Sequence, residues 1–396
     1  MRTTLTAKWL WDAAGLLEDP EVTIEDGRIV SIVSRAGGGN SGQTPGVFFD
    51  YPEATLAPAF LDVHIHGAAG HDVMEATPEA LSAVGGFLAT RGTGAFLATT
   101  VTAHLDETLR AVAGLARLIE RPELVEAHGR NGKPIARPVG IHLEGPFLSH
   151  EKCGVQPREH MLAPDIATFD RLFEAAEGTV LLMTLAPELP GAVELTAHAT
   201  ARGVRVSLGH SNATAAETRA AIDAGAISAT HTFNAMRTLD HREPGILGVV
   251  LTTDSLYAEL ICDGIHTAPE MVRLWSRAKG PGRGILVTDA MSATGMPDGE
   301  YQLGGFAVQV ANGKAIARGV LAGSVLTLDR ALTNYLEFTG SPLNEALRLL
   351  TANPAAMTGL DGESLAEGQA ANLVAVDAKG RLVASMLGGQ FADISA

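Results

Sequence analysis

Two kinds of hydrophobic periodicity divide the chain. Near its start, Glu21 to Val33 (EVTIEDGRIVSIV) alternates apolar and polar positions on either side of Asp26-Gly27. Alternation buries one face of a strand, and Asp-Gly supplies the backbone freedom a tight turn needs, so the segment predicts a β-hairpin. Near its end, Ala371 to Met386 (ANLVAVDAKGRLVASM) repeats that design around Lys379-Gly380. Both ends therefore predict strands with little helix, and they are expected to join as one small β-sandwich domain. Gly37 to Gly42 (GGGNSG) is glycine-rich, but no helical pattern follows it, so it reads as a linker and not as a phosphate-binding loop.

Between these ends short apolar runs alternate with amphipathic segments, the pattern of βα units around a parallel sheet. Eight runs stand out: Ala59 to Val63, Ala95 to Val101, Pro138 to Leu143, Val180 to Leu185, Val204 to Leu208, Ile227 to Thr230, Tyr257 to Cys262 and Gly284 to Val287. The expected fold is α/β, a (β/α)8 TIM-like barrel over residues 57–358, with residues 1–56 and 359–396 forming the small β domain. Helix starts are marked by Thr77-Pro78-Glu79, Ala268-Pro269-Glu270 and Ser341-Pro342, where a proline's missing donor does no harm. Leu109, Val112, Leu115 and Ile119 recur at helical spacing and read as core. Tyr301 to Val320 reads as an inserted hairpin, with turns at Gly304-Gly305 and Asn312-Gly313.

Composition narrows the class. A chain of 396 residues, 46% hydrophobic and 19% charged, can bury the core of one large domain and a small one. Its net charge of −16 argues against broad affinity for nucleic acid or an anionic membrane, because both are gripped by clustered Lys and Arg. A phosphorylated small molecule stays open to a few converging donors. Cys153 and Cys262 are the two cysteines and lie far apart, which excludes a disulfide framework or thiolate cluster and suits a reducing compartment. Met1 to Leu16 lacks the apolar stretch of a signal peptide or membrane span, so the expected location is the cytoplasm.

In a parallel barrel the carboxyl ends of the strands build the active site, so polar residues that close an apolar run are informative. The first run closes in His64-Ile65-His66, the third in His142-Leu143-Glu144, the fifth in Gly209-His210 and the sixth in Thr230-His231. The seventh closes in Asp263-Gly264-Ile265-His266 and the eighth in Thr288-Asp289. Strand alternation sends His64 and His66 to one face, where two imidazoles can reach one cation. An H-x-H pair alone is weak evidence, since such pairs are often surface or satisfied core residues; the other strand ends strengthen it.

Glu144 at the end of a buried strand needs a compensating cation, because a lone buried carboxylate must protonate or find a partner. His210 and His231 end separate runs, and imidazole nitrogen with carboxylate oxygen is the usual ligand set of a catalytic zinc or iron. Asp289 is placed to take a proton from water and return it to a leaving amine. The alternative for Asp289 is a cap on the following segment; the small, open loop Ala290 to Gly295 (AMSATG) favours catalysis.

These residues resemble the N-acetylglucosamine-6-phosphate deacetylases of the amidohydrolase superfamily. The matching stretches are HLEGPFLS from His142, TLAPE from Thr184, GHSNAT from Gly209, THTFNAM from Thr230, REPG from Arg242, DGIH from Asp263 and VTDA from Val287. The resemblance implies that Glu144, His210 and His231 hold the principal divalent metal and that Asp289 is the catalytic aspartate. Zinc comes first as the metal, with iron, cobalt or manganese as alternatives. Some members of the family replace the first-strand histidines and hold one ion; this chain keeps His64 and His66, which allows one or two ions per subunit.

The resemblance also implies a phosphorylated amino sugar as the substrate. Asn234 and Ala235 would meet its phosphate, and Arg242 would reach it from a neighbouring subunit, which implies a homodimer. Further implied contacts are Asp263, Gly264, Ile265, His266, Leu321, Ala322, Gly323 and Val155. One departure stands out. Many relatives carry a histidine where this chain reads Gly154-Val155-Gln156, and Gln156 can donate a hydrogen bond but carries no charge. Cys153 in that loop reads as passive, since no base is paired with it in the sequence. His71, His104, His128, His150, His160, His198 and His241 read as surface or structural residues.

The expected reaction is hydrolysis of the acetamide to acetate and an amino-sugar 6-phosphate, in amino-sugar catabolism. Three other readings stay open. The sequence does not separate the glucosamine from the galactosamine epimer. A cyclic-amide hydrolase of the same superfamily would bridge its metals with a modified lysine on the fourth strand, whose end here reads Thr184 to Glu188 (TLAPE) without one. A non-catalytic scaffold would show eroded ligands, whereas all are kept.

Overall fold

The computed structural model describes residues 2–12, 14–36, 46–127, 132–360 and 364–394. Eight parallel strands follow the eight apolar runs: Phe60–Ile65, Thr93–Thr100, Arg137–Glu144, Val180–Leu185, Arg205–Leu208, Ser228–Ala229, Tyr257–Ile261 and Gly284–Val287. They are hydrogen-bonded to one another in chain order. Apolar residues such as Phe96, Leu143, Leu182, Val206, Leu260 and Leu286 are buried in one continuous core with the surrounding helices. That is the layered arrangement a (β/α)8 barrel requires, strands inside and helices outside.

The first and last barrel strands meet by a different device. Ladder pairing joins every other neighbouring pair, but here contact runs between the end of the first strand and the residues just after the last. The Asp289 amide donates to the His64 carbonyl at 2.8 Å, and the His66 amide to the Ala290 carbonyl at 2.8 Å. Beneath them the buried carboxylate of Asp62 accepts from the Thr288 hydroxyl at 2.6 Å and from the amides of His64 (3.2 Å) and Thr288 (3.4 Å). A first-strand side chain thus closes the barrel at the point where both His64 and Asp289 emerge.

The helices start where the prolines predict. In Pro78–Ala89 the Thr77 hydroxyl accepts from the Ala80 amide and Pro78 opens the helix; Pro269 opens Pro269–Arg283. Pro342 instead sits one residue before the helix Leu343–Arg348. In Leu105–Glu120, Val112 and Leu115 are buried while Leu109 and Ile119 pack on the core edge.

The expected insertion is a four-stranded antiparallel sheet, Gly299–Leu303, Phe306–Ala311, Lys314–Ala317 and Val320–Leu321. Leu303, Val308 and Val310 from this sheet pack with Val101, Val155 and Met291. It therefore roofs the carboxyl ends of the barrel strands.

Both chain ends build one further sheet of eight strands, in which Leu373–Val376 pairs antiparallel with Val47–Pro58, and that strand pairs parallel with Arg2–Asp12. Both predicted hairpins are present in it, Pro20–Glu25 with Arg28–Ser34 and Leu373–Val376 with Leu382–Leu387. Leu5, Val22, Ile29, Leu56, Leu373 and Met386 share one core, so residues near both edges of the sheet converge and the sheet curls. The long strand Val47–Pro58 lacks a clear sequence signal because Pro52 interrupts it. The structure absorbs the interruption in a bulge, where Ala7 faces Tyr51 but Trp9 faces Thr55. The glycine stretch 37–42, expected as a linker, and His128 lie outside the described residues. Among the described residues no helix is long and apolar enough to cross a membrane.

Candidate active site

Five of the eight strand ends deliver side chains to one buried cluster. Glu144 closes the third strand, and three imidazoles crowd its Oε1: His231 Nε2 at 3.1 Å, His210 Nε2 at 3.3 Å and His64 Nε2 at 3.3 Å. His66 Nε2 lies 3.5 Å from Glu144 Oε2 and 3.0 Å from Asp289 Oδ1. His64 Nε2 is 3.6 Å from the same aspartate oxygen. All six side chains are largely buried, and His64 and His66 each lie against both Glu144 and Asp289.

Backbone conformation turns several of these residues inward. His210 (φ 47°), His231 (φ 29°) and Asp289 (φ 50°) all hold left-handed backbone. That region is sparsely populated for residues with a Cβ and costs on the order of 1–3 kcal/mol each, and it recurs where a structure must aim a functional group. Gly154, at φ 57°, lets the loop after the third strand pass close to His210; a Cβ there would stand 3.3 Å from its Cε1. The loop's carbonyl at Lys152 accepts from His210 Nδ1 at 2.9 Å.

Electrostatics follow the geometry. Burial alone would raise the Glu144 carboxyl, but His64 and the adjoining His210 and His231 rings hold it well below the usual carboxylate range. Burial would likewise raise Asp289, and His64 and His66 pull it down. His142, by contrast, is driven well below the usual imidazole range by burial, reinforced by the neighbouring His64. Neutral His142 lies between the hydroxyls of Thr184 (2.8 Å) and Thr99 (3.4 Å) inside the barrel.

The donor set fits a divalent cation. His210 gives its Nδ1 hydrogen to a carbonyl, which leaves a lone pair on Nε2, and that atom faces His231 Nε2 at 3.1 Å and a carboxylate oxygen at 3.3 Å. Lone pairs converge there without enough hydrogens to separate them, which a positive ion resolves. Two overlapping groups could hold an ion, Glu144 with His210 and His231, and Glu144 with His64 and His66, each with ligand atoms within 4.8 Å of one another. Nitrogen and carboxylate oxygen donors in that number suit a catalytic ion with an open position.

The expected substrate contacts ring this centre in part. His266 takes a short bond to Asp263 through Nδ1 (2.6 Å), and the Asp263 carboxylate also accepts the amides of Ile265 and His266 at 2.8 and 2.7 Å. Gly264 permits that turn at φ 72°. Gly323 runs against the Asp289 backbone, and Ser324 donates to the Asp289 carbonyl at 2.7 Å. Ala322 and Val155 are buried in the roof cluster, while Leu321 is partly exposed at its edge. Ala235 lies beside Gly154, and the Asn234 amide bends back toward the His231 carbonyl at 3.4 Å.

Gln156, expected as a substrate contact, is placed differently. Gln156 is buried against Glu144: its Nε2 donates to Glu144 Oε2 at 2.6 Å and its Oε1 accepts from the Thr102 amide at 2.8 Å. It therefore steadies a carboxylate in this structure. Arg242 is exposed, beyond the cluster, and its amide is held by Asp240 at 2.8 Å. Cys153 accepts from Arg158 Nε at 3.1 Å.

Sequence reading missed Glu259, Asp62, Thr99 and the orienting role of the Lys152 carbonyl. Glu259 and Asp62 each interrupt an apolar run, and a carboxylate inside a buried strand was the available signal. A backbone carbonyl leaves no such trace.

Residues 55–392 match the amidohydrolase family, and the chain belongs to that family, which is metal-dependent. Relatives similar to it over almost their whole length include deacetylases of acetylated hexosamine 6-phosphates. It is 38% identical over 380 residues, 95% of this chain and 96% of the relative, to the N-acetylgalactosamine-6-phosphate deacetylase of Escherichia coli O157:H7. It is 37% identical to the N-acetylglucosamine-6-phosphate deacetylase of Lysinibacillus sphaericus, over 92% of this chain and 91% of that one. Among solved structures, an aspartate-to-alanine variant of the Mycobacterium smegmatis N-acetyl-D-glucosamine-6-phosphate deacetylase, in complex with N-acetyl-D-glucosamine 6-phosphate, superposes with a TM-score of 0.89. That enzyme is 35% identical, and the match covers 99% of both chains.

Proposed function

We propose that the chain hydrolyses the acetamide of N-acetyl-D-glucosamine 6-phosphate to D-glucosamine 6-phosphate and acetate, in amino-sugar catabolism and recycling. The observation that carries this reading is Asp289 against His64 and His66, the two rings that also meet Glu144 of the Glu144, His210 and His231 group, in a chain that is similar over nearly its whole length to deacetylases of this substrate class. Glu144, His210 and His231 would hold the principal ion, and His64 with His66 a second that shares Glu144. Zinc suits the nitrogen-rich set, with iron, cobalt or manganese as alternatives. When bound, such an ion acidifies water and draws charge from an amide carbonyl.

The chain's own residues supply the rest. Asp289, kept ionised by the imidazoles around it, accepts the proton of the attacking water on a carboxylate oxygen and hands it to the amide nitrogen as the carbon–nitrogen bond breaks. Gln156 steadies Glu144 throughout. His266, oriented by Asp263, and the Leu321 to Gly323 segment line the sugar; Asn234 and Ala235 take the phosphate. Arg242 has no side-chain partner among the described residues, and in this reading it serves the neighbouring site of a homodimer, where its paired donors suit a phosphate.

A second reading, the N-acetylgalactosamine 6-phosphate epimer, is favoured by the similarity to the Escherichia coli enzyme. The test is acetate release from both epimeric 6-phosphates, their unphosphorylated forms and a cyclic amide. The glucosamine epimer should be turned over with the highest kcat/KM, and chelation should abolish release until a divalent metal is restored. Turnover of the cyclic amide alone, or full turnover after exhaustive chelation, would reject this function.

A further inference from the structure

The histidines of the cluster are oriented by unlike groups. His66 Nδ1 lies 3.1 Å from the Thr99 carbonyl and His210 Nδ1 2.9 Å from the Lys152 carbonyl, while His231 Nδ1 has no hydrogen-bond partner among the described residues. His64 differs from all three: its Nδ1 lies 3.1 Å from a side-chain carboxylate oxygen, Glu259 Oε2. Glu259 projects from the seventh barrel strand, whose neighbouring residues Ala258, Leu260 and Ile261 are apolar core. Glu259 and His64 are both wholly buried. The glutamate's other oxygen has no partner among the described residues, and the first also accepts the His231 amide at 3.3 Å. No step of the reaction uses it.

A carboxylate oxygen that accepts from the ring holds a hydrogen on Nδ1, so a His64 ring that gives a lone pair to a cation gives it from Nε2. The lone pair is then on Nε2, which is aimed at Glu144 Oε1 (3.3 Å) and Asp289 Oδ1 (3.6 Å) and has no hydrogen-bond partner of its own. A carboxylate behind an imidazole also makes it a stronger electron donor toward a cation. The group behind His66 and His210 is main chain, which no substitution removes; behind His64 it is a side chain.

We propose that Glu259 is the positioning residue of His64, and that the cation seat formed by His64, His66 and Glu144 depends on it, whereas the seat formed by Glu144, His210 and His231 does not. The inference rests on the metal-dependent reading above. Without Glu259 nothing else among the described residues holds His64 Nδ1, and the ring is free to change tautomer or rotate.

The test titrates Zn2+ into metal-stripped full chains of the wild type, E259A, E259Q and H64Q, reading ions per subunit by elemental analysis and affinity by chelator competition. The wild type should hold two ions. E259A and H64Q should keep one at wild-type affinity and bind the other roughly 10–100-fold more weakly. E259Q should fall between, because its amide oxygen still accepts from Nδ1. Nitrogen-15 NMR of the Zn2+-loaded wild type should show the His64 hydrogen on Nδ1, a readout that does not require any variant to fold. Two tight ions in E259A, a single ion in the wild type, or the hydrogen on Nε2 would overturn the role of Glu259 alone. A wild type that binds no divalent ion would overturn the metal-dependent reading and this proposal with it.

Discussion

Single residues carry the chemistry through what surrounds them. Asp289 and Glu144 are both carboxylates held ionised by imidazoles, yet Glu144 has three ring nitrogens around one oxygen and Asp289 faces fewer. The crowded one reads as a ligand and the other as the proton carrier. Replacing Asp289 with Asn should lower kcat by about 10²–10⁴-fold, the usual reach of a positioned acid–base group, while elemental analysis still finds the metal. Equal turnover in this variant would remove Asp289 from the mechanism.

The Asp263–His266 pair lends itself to a pH argument. Burial lowers the His266 ring, and Asp263 more than offsets this, so His266 titrates above its ordinary value and Asp263 below its own. The histidine's contribution to stability is therefore full below about pH 6.5 and lost as pH rises through its raised value. The aspartate's is present above about pH 4 and lost as pH falls through its lowered value. In Asp263→Asn burial is opposed by Asp289 alone, and NMR titration should find the His266 pKa lower than in the wild type.

Among the elements, the join between the first and last barrel strands matters most. Ladder hydrogen bonds link every other neighbouring pair, and here the Asp62 carboxylate takes three donors from the two strand ends. Because His64 and His66 lie on one side of this join and Asp289 on the other, the join fixes the distance across the cluster. Asp62→Ala would leave these buried donors unsatisfied, at about 1–3 kcal/mol each, less whatever water recovers. Chemical denaturation should show a loss on the order of 3 kcal/mol, and kcat should fall with it. A variant that loses stability but keeps full kcat would separate barrel closure from the site's geometry.

The elements themselves were largely legible. Eight apolar runs became eight strands, both terminal hairpins are paired as their turn residues predict, and the insertion has strands on both sides of Gly304-Gly305 and Asn312-Gly313. Val47–Pro58 was not legible, because Pro52 breaks the pattern and only a bulge against the first strand accommodates it.

For the molecule as a whole, an acidic surface and a recessed, imidazole-lined cluster divide the labour. The net charge of −16 repels phosphate at long range, so a phosphorylated substrate must be captured by local donors. Arg242 stands apart from the cluster in its own chain, which is the arrangement expected if it completes a neighbour's site. Hybrid dimers of R242A and D289N subunits test this. Each parent should be impaired, R242A through a raised KM and D289N through a lowered kcat. The hybrid should recover one working site, in which Asp289 of one subunit meets Arg242 of the other. No recovery in a hybrid shown to be dimeric would place Arg242 outside the site.

Local pattern sufficed for the strand ends and for which side chains gather there, because strand alternation and barrel geometry send residues after a buried strand to one rim. It also sufficed for the family resemblance, since the motifs are contiguous. What only the folded chain decided is how the cluster is held: Glu259 behind His64, Asp62 across the barrel's join, Gln156 against Glu144 and two backbone carbonyls behind His66 and His210. These contacts join residues from 12 to 226 positions apart or use main-chain atoms that every residue possesses. Periodicity along a chain cannot encode a meeting between its distant parts.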